Sequence, residues 1–182
     1  MKNFLFLLIF SALSFQINAQ KPTIIYLVRH AEKVTTDPAN KDPLLTEKGQ
    51  KRSLALSKKL KNQSLSSVYC TDYQRIKLTA TPIAEKQNLT LQIYNPKSLK
   101  AFAEKVMQDN NGKKVLIVGH SNTVLETIEA LGGKRPIATI SDNEYDYFFT
   151  VKIFAEGLVK VEFGHYGDKN ESLVVGEIMK GK

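Results

Sequence analysis

The sequence predicts an α/β fold, a three-layer α/β/α sandwich whose sheet is mostly parallel and carries an antiparallel hairpin at one edge. The first observation is that short apolar, β-branched runs alternate with segments of helical periodicity. The second is that the runs 24–28 and 115–118 are apolar at every position, as in strands buried on both faces of a parallel sheet. The third is that a turn alone joins the last two predicted strands, which indicates antiparallel neighbours.

The elements follow in order from the first strand, residues 24–28. A polar, proline-containing loop over 31–45 separates it from a helix over 46–60. Thr46 is the predicted N-cap of that helix, because a threonine hydroxyl accepts from the free N–H groups of a first turn. The remaining pattern predicts strands at 65–70, 89–94 and 115–118, helices at 72–87, 98–108 and 121–131, and a hairpin of 145–154 with 158–163.

Three single residues inside these elements carry structural expectations. Pro82 is expected to end the first half of the 72–87 helix or to kink it, because proline has no N–H for the helical hydrogen bond. Cys70, the one cysteine, stands in an apolar strand and is expected to be a buried thiol rather than half of a disulfide. Tyr145, at the start of the aromatic run 145–149, is a candidate for the rim of a pocket.

The first residues predict export. Lys2 precedes an apolar run over 4–10 that continues less purely to Phe15, and Ala19 ends the segment. This is the pattern of a secretory signal peptide, so residues 1–19 are predicted to be removed and 20–182 to form the domain, located in the periplasm or secreted. The run is too short to span a bilayer, so no stable membrane insertion is expected after cleavage. The alternative is a buried N-terminal helix.

The composition is that of a globular protein and narrows the possible ligands. Hydrophobic residues make up 42% of the chain and charged residues 24%, which excludes disordered, collagen-like, coiled-coil and polytopic membrane classes. The net charge of +8 suits anionic ligands, but no aromatic–basic interleaving predicts a nucleic-acid partner. No Cys/His cluster has zinc spacing, so neither a metal site nor another cofactor is expected.

Basic side chains follow the predicted strands at the point where each strand ends. Arg29 and His30 come after the first strand, Arg75 shortly after the second, and His120 after the strand 115–118. Because ligands of such sheets bind beyond the carboxyl ends of the strands, we expect these side chains to line one pocket for a dianion. Arginine forks bind phosphoryl oxygens, and a histidine among arginines stays neutral and nucleophilic.

A helix opens directly after His120, so Ser121 and Asn122 stand where N–H groups and the helix dipole favour an anion. The chemistry that fits this set is phosphoryl transfer to an imidazole nitrogen and then to water. The predicted partner is therefore a phosphorylated small molecule.

Four segments, in the same order along the chain, resemble the motifs of the histidine phosphatase superfamily, the phosphoglycerate mutase-like proteins. They are Arg29-His30-Ala31, Leu45-Thr46-x-x-Gly49, Thr71-x-x-x-Arg75-x-x-x-Thr79-Ala80 and Val118-Gly119-His120-Ser121. The resemblance implies that His30 is the phosphorylated nucleophile and that Arg29, Arg75 and His120 bind the phosphoryl group. It further implies a metal-independent phosphomonoester hydrolase of the histidine acid phosphatase type, here a small exported bacterial-type member acting on a small or envelope-derived substrate.

The proton donor departs from the patterns of that superfamily. Mutase-like members carry a Glu after the third strand, where residues 94–99 hold no acid, and phytase-like members carry an Asp where this chain has Ser121. Glu32 is the first candidate, because it lies two residues beyond His30 on the same loop. The weaker candidates are Asp42, Asp72 and Glu126.

Three other functions stay open at this point. The first is a non-catalytic phosphate-binding protein that kept the anion pocket and lost the acid. The second is a serine hydrolase, because Ser121 follows a strand and opens a helix like a nucleophile elbow, although Thr123 stands in place of Gly and His165 is the only later histidine. The third is a phosphomutase, which needs a retained phosphohistidine and a second substrate pose.

Overall fold

The computed structural model of the protein describes residues 20–170. The predicted signal peptide, residues 1–19, lies outside the described residues. Within the described range the order of helices and strands is the predicted one, with bounds that differ by a few residues. The strands are β1 (Thr23–Arg29), β2 (Ser67–Cys70), β3 (Leu91–Ile93), β4 (Lys114–Gly119), β5 (Tyr147–Ile153) and β6 (Val159–His165). The helices are α1 (Glu47–Leu60), α2 (Gln74–Lys86), α3 (Leu99–Asp109) and α4 (Ser121–Ala130).

The described strands form one sheet in the order β3-β2-β4-β1-β5-β6. The pairs β3–β2, β2–β4 and β4–β1 are parallel, whereas β5 is antiparallel to β1 and β6 is antiparallel to β5. The predicted mostly parallel sheet with an antiparallel edge hairpin is therefore confirmed. β1 and β4 are neighbours at the centre, which explains why their runs are apolar at every position.

Helices cover both faces of the sheet and give the three predicted layers. Along β1, Ile25 and Leu27 belong to a core shared with α3 and α4, whereas Tyr26 and Val28 belong to a second core shared with α1 and α2. This alternation follows from the two-residue period of a strand. Each fully buried Ile or Leu stabilises the fold by about 1.5–3 kcal/mol relative to an exposed one.

The expectation that Pro82 ends the first half of its helix is wrong, because α2 runs without a break from Gln74 to Lys86. Proline leaves the carbonyl of the residue four positions earlier, Leu78, without its helical donor. The Ser53 hydroxyl of α1 donates to that carbonyl at 3.0 Å, and the Ser57 hydroxyl donates to the Pro82 carbonyl at 3.1 Å. The packing of α1 on α2 thus satisfies the backbone group that proline frees.

Strand β3 is shorter than the predicted 89–94. Asn88 has a φ of 54°, a left-handed conformation in which asparagine commonly ends a helix. The Leu89 N–H donates to the Ala84 carbonyl at 2.9 Å, so it serves the end of α2 instead of the sheet. β3 accordingly begins at Leu91.

Two further findings concern Cys70 and the helices. Cys70 is a free, buried thiol in β2, as predicted, and burial raises the pKa of this thiol to about 11. Among residues 20–170, no helix combines the length and the apolar character that crossing a bilayer requires.

Candidate active site

The register of the two central strands brings the two predicted site histidines together. Arg29 at the end of β1 is paired with Gly119 at the end of β4, and the His30 N–H donates to the Gly119 carbonyl at 2.9 Å. His30 and His120 therefore leave the sheet side by side. Their ring centroids are 5.9 Å apart and the ring planes are inclined by 76°.

A cavity of about 680 Å³ lies at this edge of the sheet. All seven residues that the sequence proposed for the site line it. They are Arg29, His30, Glu32, Arg75, His120, Ser121 and Asn122. Five further residues share the lining, namely Lys33, Thr35, Asp142, Asn143 and Tyr145. The structure thus brings the predicted set into one cavity, whereas the chemical role of each member stays a prediction.

His30 has a defined tautomer. Its Nδ1 lies 2.8 Å from the carbonyl oxygen of Ala31, and because a carbonyl only accepts, Nδ1 carries the proton. Burial, with further contributions from the positive charges of Arg29 and Arg75, lowers the pKa of His30 to about 3. The ring is therefore neutral near pH 7, and its lone pair is on Nε2.

His120 is held at the N-terminus of α4. Its backbone N–H donates to the Thr123 hydroxyl at 2.8 Å, and its Nε2 lies 3.2 Å from the Thr71 hydroxyl. Burial lowers the pKa of His120 to about 4, with smaller contributions from Arg75, Arg29 and Lys33. Two neutral imidazoles thus stand among cations, which is the arrangement the sequence predicted.

Arg29 is fixed by backbone carbonyls on the segment before β5. Its Nη1 donates to the carbonyl oxygens of Ser141, Asp142 and Glu144 at 2.7, 3.2 and 3.1 Å. Its guanidinium carbon lies 4.3 Å from the centre of the Tyr145 ring. These contacts occupy Nη1, whereas the buried Nε has no acceptor within residues 20–170, and Nη2 approaches only the Asp142 carboxylate, at 3.7 Å.

Arg75 has a closely similar environment on the first turn of α2. Its guanidinium carbon lies 4.5 Å from the centre of the Tyr73 ring, and its Nη1 donates to the Lys41 carbonyl at 3.4 Å. The same Nη1 is 3.7 Å from Asp42. The buried Nε again finds no acceptor in the described chain. Both arginines therefore keep the Nε–Nη2 edge, the edge that binds an oxyanion through two parallel hydrogen bonds, free of hydrogen-bonded protein groups.

Glu32, the first candidate for the proton donor, lines the cavity and is paired with Arg52. The Arg52 Nε donates to both carboxylate oxygens at 3.0 and 2.9 Å, and Nη2 donates to Oε1 at 2.8 Å. Both oxygens of Glu32 thus already accept from a guanidinium. Of the weaker candidates, Asp72 pairs with Lys77, and Asp42 accepts from the Gln74 N–H at 2.7 Å. The last of them, Glu126, lies 3.5 Å from the amide nitrogen of Asn122.

The loop that carries His30 is held by the motif residues around it. The Ala31 N–H donates to the Thr79 hydroxyl at 2.9 Å, and the Glu32 carbonyl accepts from the Thr46 N–H at 2.9 Å. Thr46 caps α1, as predicted, by accepting from the Gly49 N–H at 3.0 Å. A Cβ at Gly49 would lie 2.2 Å from the Glu32 carbonyl oxygen, so the helix approaches the loop at a distance that only glycine allows.

The sequence interpretation missed the segment before β5. It considered residues that follow parallel strands, but an antiparallel strand begins at the edge where its parallel neighbours end. The approach of β5 to β1 therefore delivers Asp142, Asn143 and Tyr145 to the same cavity. Tyr145 is the predicted rim residue, and its position in the cavity lining agrees with that prediction. Asp142 and Asn143 could have been found by also considering the residues that precede an antiparallel strand.

Ser121 does not have the geometry of a nucleophile elbow. It is the first residue of α4, and within residues 20–170 the only non-glycine residues with positive φ are Ser64 and Asn88. No hydrogen bond joins the Ser121 hydroxyl to a histidine of the described chain. His165, at the end of β6, instead places its Nδ1 3.3 Å from Asp146. The described residues also contain no group of three or more His, Cys, Asp or Glu that could hold a metal ion.

Comparisons with known proteins identify a sequence profile and several solved structures with the same fold. Residues 25–95 match the sequence profile described as Histidine phosphatase superfamily (branch 1). A search of curated protein sequences finds no match. Solved structures with the same fold include a protein histidine phosphatase, SixA, complexed with tungstate, at a TM-score of 0.62 and 16% identity, covering 79% of this chain and 96% of that chain.

Two other structures are similar to a comparable degree. The mycobacterial glucosyl-3-phosphoglycerate phosphatase gives a TM-score of 0.61 at 12% identity, covering 82% of this chain and 100% of that chain. A putative phosphohistidine phosphatase SixA from Agrobacterium tumefaciens gives a TM-score of 0.60 at 14% identity, covering 80% of this chain and 98% of that chain. Residues 25–95 thus carry the sequence pattern of the histidine phosphatase superfamily, and the described chain has the phosphoglycerate mutase-like α/β fold of these phosphatases.

Proposed function

We propose that the protein is a metal-independent phosphomonoester hydrolase that acts through a phosphohistidine intermediate on His30. The observation that carries the proposal is the combination of a neutral His30, with its lone pair on Nε2, and two arginines whose Nε–Nη2 edges are free at the same cavity. A neutral imidazole is a nucleophile, and free guanidinium edges bind a phosphoryl dianion. The family profile over residues 25–95 supports the phosphatase class.

The first half of the reaction transfers the phosphoryl group to the enzyme. His30 Nε2 attacks phosphorus, the bond between phosphorus and the ester oxygen breaks, and the leaving oxygen takes up a proton. Arg29 and Arg75 stabilise the charge on the phosphoryl oxygens, and the N–H groups at the start of α4 add a favourable dipole. Arg29 needs no reorganisation for this, because three carbonyls and the Tyr145 ring already hold it.

The second half of the reaction hydrolyses the intermediate. A water molecule attacks the phosphorus of phosphohistidine, the P–N bond breaks, and inorganic phosphate leaves with His30 Nε2 restored as a neutral acceptor. The hydrogen bond from Nδ1 to Ala31 keeps the ring in the same tautomer in both halves. His120, 5.9 Å away between ring centroids, is placed to contact the phosphoryl oxygens throughout.

Glu32 is the proposed proton donor to the leaving group, and its pairing with Arg52 limits that role. A carboxylate that accepts from Arg52 through both oxygens must take a proton before it can donate one. The variant Glu32→Gln tests the role through the leaving group. If Glu32 is the acid, kcat/KM falls for alkyl phosphates and changes little for activated aryl phosphates, because only a poor leaving group needs protonation. An equal loss for both substrates assigns Glu32 to the structure of the loop.

The natural substrate is proposed to be a small or envelope-derived phosphorylated molecule, met outside the cytoplasm after removal of residues 1–19. The polar lining of the cavity supports a hydrophilic substrate. Mass spectrometry of the N-terminus of the mature protein recovered from a secreting host tests the cleavage after Ala19. Retention of residues 1–19 would refute the exported form.

The decisive experiment compares hydrolysis of p-nitrophenyl phosphate by the parent protein, His30→Ala and His165→Ala, each with EDTA present. His165 is the matched control, because it is a histidine that lies outside the cavity lining. We expect activity in EDTA, inhibition by vanadate, an unchanged rate in His165→Ala and a loss of at least about a thousandfold in His30→Ala.

The other outcomes separate the alternatives. Phosphate binding without turnover would indicate the non-catalytic phosphate-binding protein. Labelling of Ser121 by a fluorophosphonate, with activity indifferent to His30, would indicate the serine hydrolase. With a phosphomonoester that carries a free hydroxyl as substrate, transfer of the phosphoryl group to that hydroxyl instead of water would indicate the phosphomutase. Activity that EDTA abolishes would contradict the metal-free mechanism.

A further inference from the structure

A phosphoryl dianion bound to the two arginines would leave a third positive charge in the cavity without an anionic partner. Lys33 lines the same cavity as Arg29 and Arg75, and no carboxylate within residues 20–170 forms an ion pair with it. Its backbone is fixed by a bridge to Leu45 and by the neighbouring hydrogen bond from the Val34 N–H to the Leu44 carbonyl, at 2.9 Å. Burial is the main cause of the lowered pKa of His120, and the charge of Lys33 adds to it after those of Arg75 and Arg29.

The two carboxylates of the cavity lining do not offset Lys33. Glu32 is neutralised by Arg52 through hydrogen bonds of 2.8 to 3.0 Å. The Asp142 side chain is fully exposed and lies 3.7 Å from Arg29, so it offsets that arginine only weakly. When the phosphoryl dianion occupies Arg29 and Arg75, one cation of the cavity is left without an anionic partner.

The size and polarity of the cavity point in the same direction. Its volume, about 680 Å³, is in the range of cavities that hold a whole small ligand and not a phosphoryl group alone. Tyr145 contributes an aromatic ring to the lining, and the other lining residues carry polar or charged groups. The part of the substrate beyond phosphorus therefore meets a hydrophilic and positively charged wall.

We infer that Lys33 forms a second anion subsite, and that the preferred substrates are phosphomonoesters that carry another anionic group, a carboxylate or a second phosphate, on the leaving portion. This inference rests on the proposed function, because it takes the phosphoryl position at Arg29 and Arg75 as given. In this arrangement the two arginines hold the group that is transferred, and Lys33 selects the group that leaves.

The test measures equilibrium binding, so that it does not depend on turnover. Isothermal titration of the full-length protein compares phenylphosphonate, 3-carboxyphenylphosphonate and 3-carbamoylphenylphosphonate. The amide has the size of the carboxylate without its charge. We expect the parent to bind the carboxylate about tenfold more tightly than the other two, with a preference that declines as salt rises.

Three variants assign the preference to a residue. Lys33→Gln is expected to reduce the ratio of affinities, carboxylate over amide, to about one, and Lys33→Arg is expected to retain it. Lys58→Gln removes the same charge at an exposed position on α1, away from the cavity, and is the matched control that should keep the parental ratio.

Each outcome bears on the inference. Equal affinity of the parent for the carboxylate and the amide would overturn the second subsite, and a preference that survives in Lys33→Gln would overturn the assignment to Lys33. Failure of all three phosphonates to bind would overturn the proposed function together with the subsite. Selective binding of the carboxylate without any hydrolysis of p-nitrophenyl phosphate would support the subsite and would contradict only the proposed hydrolase activity.

Discussion

The contact between Gly49 and the loop of His30 gives the sharpest prediction about how this fold holds its nucleophile. A Cβ at position 49 would lie 2.2 Å from the Glu32 carbonyl oxygen, whereas side-chain Cβ atoms do not approach other heavy atoms closer than 3.0 Å. In Gly49→Ala the loop and the helix must therefore separate by at least 0.8 Å. The atom in contact is backbone, so no side-chain rotation can relieve the clash.

The cost follows from what the separation disturbs. The Glu32 carbonyl accepts from the Thr46 N–H, and Glu32 is two residues from His30, so a shift there moves the nucleophile. Overpacking of this kind costs about 1–3 kcal/mol, partly offset by about 1 kcal/mol from the better helix propensity of alanine. A displacement near 1 Å at a reacting group costs about a hundredfold in rate.

The assay combines urea unfolding with hydrolysis of p-nitrophenyl phosphate. Gly49→Ala is expected to lower kcat/KM by between about tenfold and a hundredfold while losing up to about 2 kcal/mol of unfolding free energy. Gly164→Ala is the control, because a Cβ at Gly164 meets no atom within 4 Å. A Gly49→Ala protein with parental activity and parental stability would refute the argument that this close approach positions His30.

Two further predictions follow from the same cavity. Burial lowers the pKa of His30 to about 3 and that of His120 to about 4, so the folded protein keeps both rings neutral while the unfolded chain takes up protons below about pH 6.5. The free energy of unfolding should therefore fall as pH decreases from 6.5 toward 4, by on the order of 1 kcal/mol per pH unit for each histidine. In urea unfolding at several pH values, the free energy of His30→Asn should fall less steeply than that of the parent. An identical dependence on pH would contradict the assignment of this effect to His30. Arg52→Met leaves the Glu32 carboxylate buried without its partner and should lower the free energy of unfolding in urea by about 3–5 kcal/mol. The double variant Glu32→Gln/Arg52→Met should recover part of this loss, because it also removes the unpaired carboxylate. No recovery would show that Arg52 stabilises the fold through the Tyr166 carbonyl, which accepts from its Nη1 at 2.9 Å, instead of through Glu32.

Much of the fold was predictable because its central strands carry a strong pattern. The runs of β1 and β4 are apolar at every position, and helices with Leu56 or Leu125 on one face can bury those side chains only against such a sheet. The local rules failed where another element intervened. Pro82 stays inside α2 because the hydroxyl of Ser53, on a different helix, satisfies the Leu78 carbonyl. No pattern within residues 72–87 contains that information.

The candidate site was predictable to the extent that topology places it. Arg29, His30 and His120 directly follow buried strands, and the carboxyl ends of parallel strands meet at one edge of a sheet. The pairing of Glu32 with Arg52 was not predictable from its position beside His30, because the two residues are twenty positions apart and meet through the packing of α1 against the loop. Lys33 lay in the same polar loop and had no feature that distinguished it from a solvated lysine.

The sequence by itself determined the order of the elements, the two-sided burial of the central strands and the identity of the basic residues at their ends. These properties are local, since they depend on periodicity and on the residue that follows each strand. The tertiary structure alone decided that β4 lies beside β1, that the segment before β5 reaches the same edge, and that Glu32 is held by Arg52. The physical reason is that register and pairing depend on contacts between residues far apart in the chain, which no local pattern encodes.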